Sequence, residues 1–246
     1  LKLDFKDLGI AAGTPISAET VNLSYYGEVT QLILFPANKN VDFTLSAQSV
    51  VLLTIPKNKL AKKSLIASSD ATVSHGKSAS ALNGSQKELL VQLDAEEPEK
   101  NNVSYIWFDL SKTSSTTAQR ILLKVNGKTD KTDSPFRLHV YGIPSSKWDQ
   151  QKLAWNNAPL LDSKEALINE VGQKAYVAGE LAFNTRQQDH ILDVTDLIKN
   201  HGSKGITYVL VRETRQLGDD EDKGKKVMIN SLESNNQPEL IFWMTK

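Results

Sequence analysis

The chain of 246 residues is 39 % apolar, enough for a packed core, and its 29 basic residues balance its 29 acidic ones. No global field therefore draws it to nucleic acid or to an anionic membrane, and any anion recognition must be local. The absence of cysteine removes disulfides, thiolate nucleophiles and cysteine-held zinc, and no run of about 18 apolar residues offers a membrane-spanning helix.

Residues 1–56 form a first region. Leu3, Phe5 and Leu8 precede a turn region at 9–15, and the β-formers at 21–25 and 32–35 predict two short strands. The run Val50-Val51-Leu52-Leu53-Thr54-Ile55 predicts a strand buried on both faces. The region is short for an independent domain, so it is expected to complete a sandwich or to pack as an extension. The polar, basic stretch 57–64 is the expected linker. The chain opens at Leu1, with neither an initiator methionine nor a charged-then-apolar leader, and reads as a piece of a longer protein.

From Leu65 onward, strand-like segments recur at 71–73, 88–93, 103–108, 120–125, 136–143, 206–211, 226–229 and 240–244, with turn sequences between them. This spacing predicts an all-β domain over 65–246, an antiparallel, jelly-roll-like β-sandwich with one or two short helices. At 136–143, Phe136, Leu138 and Val140 alternate with Arg137, His139 and Tyr141. The alternation puts the first set in the core and the second on a shared outward face. The helical candidates are 164–169 and 193–202, the latter with Thr195 as N-cap and Gly202 as its stop.

Catalytic signatures are missing. His75, His139, His190 and His201 show no zinc spacing, no GxSxG turn is present, and no pair of carboxylates stands out as an acid/base couple. Aromatic side chains on which a sugar ring stacks come next. Trp107 and Trp243 lie in apolar strands and are expected in the core, whereas Trp148 and Trp155 lie in a loop-like island, and Tyr25, Tyr26 and Tyr176 are minor platform candidates.

A series of islands runs in order: Trp107-Phe108-Asp109-Leu110-Ser111, Lys147-Trp148-Asp149, Leu153-Ala154-Trp155-Asn156-Asn157-Ala158-Pro159, Asp193-Val194-Thr195, Ser231-Leu232-Glu233-Ser234 and Pro238-Glu239-Leu240-Ile241-Phe242. In this order the chain resembles the DNRLRE domain, a β-sandwich that serves as a carbohydrate-binding module on secreted polysaccharide-degrading enzymes. The end of the first region resembles the last strands of the accessory sandwich that closes some agarase- and porphyranase-type glycoside hydrolases. The resemblance implies a non-catalytic module, secreted or on the cell surface and monomeric, whose partners are a polysaccharide and the catalytic domain of a parent hydrolase or lyase. The implied ligand is an anionic marine polysaccharide, first a red-algal galactan such as porphyran or agarose, second alginate or another uronate polymer. A structural or adhesive domain without glycan affinity is the alternative of a different class.

The implied ligand-binding set is Lys77, Asn83, Arg137, His139, Trp155, Arg212 and Arg215. Lys77 and Asn83 belong to a small-residue loop at 74–85 that resembles the family's first loop. Arg137 and His139 share a face, and with Arg212 and Arg215 they offer planar forks for a sulfate or carboxylate. The family's Trp148 to Pro159 island is a packing hallmark, so its tryptophans have a structural reading as well. The acids 219–222 are consecutive and cannot all face one ion, so they read as a charged hairpin tip, as do Asp94, Glu96, Glu97 and Glu99. A structural calcium ion near Asp70 or Asp109 stays open. The insertion at 161–190 either walls a groove or covers a sheet edge.

Overall fold

The computed structural model describes residues 2–4, 14–22, 28–34, 40–42, 49–55, 60–75, 84–94, 97–113, 117–130, 136–144, 147–161, 175–202, 204–212 and 225–245. The chain divides into two compact units, Leu1–Lys62 with Trp243–Lys246, and Lys63–Phe242. In the first unit β1 (Lys2–Asp4), β2 (Ile16–Asn22), β3 (Glu28–Leu34), β4 (Asn40–Asp42) and β5 (Ser49–Thr54) make two small antiparallel sheets. β1 pairs with β4, and β2 runs between β3 and β5. The apolar run at 50–55 is not buried on both faces. Val50 and Leu52 are 59 % and 60 % exposed while Val51 and Leu53 are half-buried, because alternation points the two pairs to opposite faces of the sheet.

The second unit contains β7 (Ser69–Ser74), β8 (Glu88–Gln92), β9 (Asn102–Asp109), β10 (Ala118–Thr129), β11 (Phe136–Pro144), β12 (Tyr176–Phe183), β13 (Gln188–Asp193), α1 (Thr195–His201), β14 (Gly205–Val211) and β15 (Lys226–Asn230), with β6 (Leu60–Ile66) and β16 (Glu239–Thr245) straddling its boundary. The stretch expected as a linker is strand from Leu60 onward. β6 ends the strand order, and its exposed Lys62 and Lys63 are charges of the kind that protect an edge from unwanted pairing.

The fold is an all-β antiparallel sandwich. One layer has the order β12-β11-β14-β9-β7, and the other runs β8-β15-β10-β16-β6 with β13 on the far side of β10. β9 meets β8 through Gln92 and Asn102, where hydrogen bonding passes from layer to layer. Between the layers lie Ile106, Phe108, Leu138, Val140, Tyr208 and Leu210, all fully buried, with Phe108 and Tyr208 in edge contact at 5.9 Å. The expected alternation of β11 holds for Phe136, Leu138 and Val140.

The outer face of the first layer is also a core. Ala71, Val73, Val103, Tyr105, Tyr141, Val209 and Val211 are buried beneath Leu153, Trp155 and Ala158, with Trp148 packed alongside. Tyr141 does share a face with Arg137 and His139, yet it is covered. The cover is pinned by polar bonds, Tyr105 Oη donating to the Pro159 carbonyl at 2.8 Å and Trp148 Nε1 donating to Thr207 Oγ1 at 2.9 Å. Burial of each large side chain here contributes roughly 1.5–3 kcal/mol.

Helix α1 forms within the predicted span, but Val194 is its N-cap residue and Thr195 its first helical residue. Asp193 Oδ1 accepts from the Thr195 amide at 3.0 Å, and Thr195 Oγ1 accepts from the Ile121 amide at 2.8 Å. The carboxylate one turn edge earlier thus satisfies the helix start, and Thr195 ties the helix to β10. Gly202 does stop the helix, with φ −82°. Glycine is required there by space, since a Cβ would lie 2.9 Å from the Ile198 carbonyl oxygen and 3.0 Å from Leu110 Cδ1.

Candidate functional site

The expected ligand set is split by the fold. Arg137 and His139 stand on adjacent outward positions of β11, opposite Ala182 and Glu180 of β12. Glu180 bridges them, Oε2 lying 3.1 Å from an Arg137 Nη1 and Oε1 lying 3.2 Å from His139 Nε2. All three side chains keep partial access to solvent, Arg137 most at 43 %. Arg212 is brought to the same end of the layer but is buried. Its guanidinium lies 4.5 Å over the Phe136 ring, and Nη1 donates to the Arg137 carbonyl. It therefore braces the backbone that presents Arg137 and offers no open fork for an anion.

Trp155 is 2 % exposed and sits in the second core with His75 edge-on at 4.8 Å. Neither of its faces is a platform for a sugar, because the apolar outer face of the first layer needs it as a lid. Trp107 and Trp243 are buried as expected. Tyr176 has one face stacked on His201 at 3.6 Å. Lys77, Asn83, Arg215, Tyr25, Tyr26, the acids 219–222 and the candidate helix at 164–169 lie outside the described residues.

The outer face of the second layer is different. On β10 the outward row is Lys124, Asn126 and Lys128, and on β15 it is Lys226, Met228 and Asn230. Asn126, itself buried at 7 % exposure, is the hub of a cross-strand amide ladder whose outer members Gln187 and Asp189 are exposed. Its Oδ1 accepts from Gln187 Nε2 at 2.7 Å and from Asn230 Nδ2 at 3.0 Å, while its Nδ2 donates to Asp189 Oδ1 at 2.7 Å. Lys124 is held by Glu239 and Asp189. Among the described residues Lys87, Lys128 and Lys226 carry no ion pair. The ladder runs into an open groove of about 610 Å³ lined by Lys87, Glu88, Leu90, Asn230, Glu233 and Asn235. Amides and lysines on a pre-organised sheet face are suited to hydroxyl and anionic groups of a chain laid across the strands. No sequence signal marked this set, since its members come from positions 87, 126, 187 and 230 and each alone is an ordinary polar residue.

Asp109 is half-buried, and the Ser111 side chain and amide bond its carboxylate and hold it below the usual carboxylate range. Among the described residues no three His, Asp or Glu side chains converge on one point.

The model of the family described as carbohydrate-binding module family 96 matches residues 61–243, nearly the extent of the second unit. No curated protein sequence matches the chain. Among solved structures, a β-porphyranase of glycoside hydrolase family 86 from the human gut bacterium Bacteroides plebeius aligns at TM-score 0.30 and 8 % identity over 95 % of this chain. A BuGH86 variant in complex with neoagarooctaose aligns at 0.22 and 8 % over 95 %. The chain spans 30 % and 28 % of their lengths, and both scores are too low for a shared fold to be read from them.

Proposed function

Since the chain belongs to carbohydrate-binding module family 96 across residues 61–243, we propose that it is a non-catalytic module that holds a parent polysaccharide-degrading enzyme on an anionic marine polysaccharide, a red-algal galactan of the porphyran type. Tethering raises the effective concentration of substrate at the catalytic domain without any chemistry in the module. One observation carries the choice of surface. Of the two outer faces of the sandwich, the first is covered over β7, β9 and β14 by the segment 147–161 and leaves only its Arg137–Glu180–His139 end open, while the second exposes Gln187 and Asp189 around the buried Asn126 and the groove beside Asn230. Lys87, Lys128 and Lys226 beside that ladder support an anionic ligand, since a sulfate or carboxylate supplies the counter-charge they lack among the described residues. Arg137, fixed by Glu180 at the far end of the other layer, is a separate exposed cation.

Affinity electrophoresis through gels containing porphyran, agarose, alginate or a neutral glucan tests this. Retardation is expected in porphyran and is expected to weaken with salt. Lys128→Ala with Lys226→Ala should reduce affinity by about thirtyfold, at roughly 1 kcal/mol per lost contact, whereas Arg212→Met should leave it unchanged in the folded protein. Preferential retardation in alginate would transfer the reading to uronate polymers. No retardation in any gel would leave a structural or adhesive domain.

A further inference from the structure

A second cavity adjoins the groove. β7 alternates so that Asp70 and Thr72 face inward, Asp70 at 1 % exposure, while Ser69, Ala71 and Val73 face outward. Ala71 and Val73 lie beneath the segment 147–161. Ser69 sits at the rim of that cover, in one cross-strand row with Trp107 of β9 and Thr207 of β14. The covering segment begins at this row, with Trp148 Nε1 donating to Thr207 Oγ1. Between its start and the turn before β7 lies an open cavity of about 640 Å³, lined by Ser68, Ser69, Lys147, Trp148, Asp149 and Gln150.

This lining differs from the core beside it. Of the chain's four tryptophans, Trp107, Trp155 and Trp243 are buried and Trp148 alone is half-buried. Its Nε1 hydrogen is held by Thr207, so the part of the indole that lines the cavity is an apolar surface. Around it stand exposed Ser68, the Asp149 carboxylate at 51 % exposure, and Lys147, exposed and without an ion pair among the described residues. An aromatic surface flanked by a hydroxyl, a carboxylate and an ammonium suits a sugar, whose C–H face is apolar and whose rim carries hydroxyls or an anionic substituent.

One contact separates this cavity from the groove beside Asn230. Gln150 lines the cavity and Glu233 lines the groove, and Gln150 Nε2 lies 3.5 Å from Glu233 Oε1. The divider is fixed from both sides. Gln150 Nε2 donates to the Gly84 carbonyl at 2.7 Å, its Oε1 faces the Asp70 amide at 3.4 Å, and Glu233 Oε2 accepts from Ser231 Oγ at 2.9 Å. A Cβ on Gly84 would stand 2.0 Å from the Gln150 carbonyl oxygen, so glycine is what allows this approach.

We infer that the cavity beside Trp148 is a second subsite for the same polysaccharide chain, which passes from the groove across the Gln150–Glu233 contact and lays the apolar face of a sugar on Trp148. The inference rests on the carbohydrate-binding reading above and extends it from one surface to two. Occupation of both by one chain makes the second contact intramolecular and strengthens the hold on a polymer.

The full chain and its variants are run through porphyran gels, and the tryptophan indole N–H signals are followed by NMR as porphyran oligosaccharides are added. The Trp148 signal, identified by its loss in Trp148→Ala, is expected to shift. Trp148→Ala and Lys147→Ala should each weaken affinity about fivefold. Should Trp148→Ala fail to fold, Ser68→Leu fills the cavity from an exposed position, should weaken affinity to the same degree, and identifies the indole signal by displacing it. Parent protein that is retained and weakened by Lys128→Ala with Lys226→Ala, but whose affinity is unchanged by Ser68→Leu and Lys147→Ala and whose Trp148 signal stays in place, overturns the subsite and leaves the groove as the binding surface. No retention of the parent in any gel overturns the carbohydrate-binding reading and the subsite together.

Discussion

His190 is buried against Phe183, ring centroids 4.1 Å apart, with Nε2 donating to the Gly127 carbonyl at 3.1 Å. Desolvation holds its pKa below the ordinary 6.5, and the hydrogen bonds to Gly127 and Ala182 and the charge of Asp189 only partly offset this. The unfolded chain therefore takes up the proton first. Stability from this residue is complete above pH 6.5 and declines as pH falls below it, levelling off under the folded-state value. Asp70 contributes with the opposite sign, because burial and the charge of Glu233 raise its folded value to about 7 against the unfolded 3.8 and acid relieves the cost of its burial. The His190 contribution is thus read as a difference. Urea midpoints of the parent chain and His190→Gln are expected to converge as pH drops from 8 to 5, and parallel profiles would refute the assignment. His190 in the sequence was one of four scattered histidines, and nothing local distinguished its burial.

At the scale of the element, β12 shows what one residue decides. Gly179 has φ +139°, and the register with β11 shifts beside it, Val140 facing Gly179 and Tyr141 facing Val177. The extra residue, Ala178, makes a β-bulge in β12. A Cβ at 179 would also stand 2.8 Å from Leu192 Cδ1. Gly179→Ala is therefore expected to lower stability by about 1–3 kcal/mol in denaturant unfolding. The strand pattern of β11 and the existence of α1 were legible from periodicity. The cap of α1 was not placed correctly, since Thr195 pointed to a cap by type while Asp193 two positions earlier supplied the acceptor. The basic stretch before Leu65 is strand from Leu60, and lysines mark an edge strand as readily as a linker, so composition alone does not separate the two.

At the scale of the whole molecule, the described residues show a second core outside the sheet, on the outer face of the first layer. The segment 147–161 closes it, with Leu160 in the left-handed region at φ 68° and packed on the second core. Trp155→Ala removes the centre of that lid and is expected to cost about 3–5 kcal/mol, seen as a lower urea midpoint. Polysaccharide retention by the fraction that stays folded should be unchanged, because the ladder lies on the other layer. Loss of retention in well-folded Trp155→Ala protein would move the binding surface to the lid.

The sequence by itself determined the all-β class, the positions of most strands in the second unit, the family resemblance and the core places of Trp107 and Trp243. These follow from period-two patterning and local turn chemistry, which act within a few residues. Only the tertiary structure decided which way each strand's two rows face. On β7 the apolar row looks outward and the acid inward, because the lid supplies a second core outside the sheet. It also decided that Trp155 and Arg212 brace the fold, and that Asn126, Gln187 and Asn230 form one surface. Those outcomes depend on strands distant in sequence and adjacent in space, and no local pattern of residues encodes that adjacency.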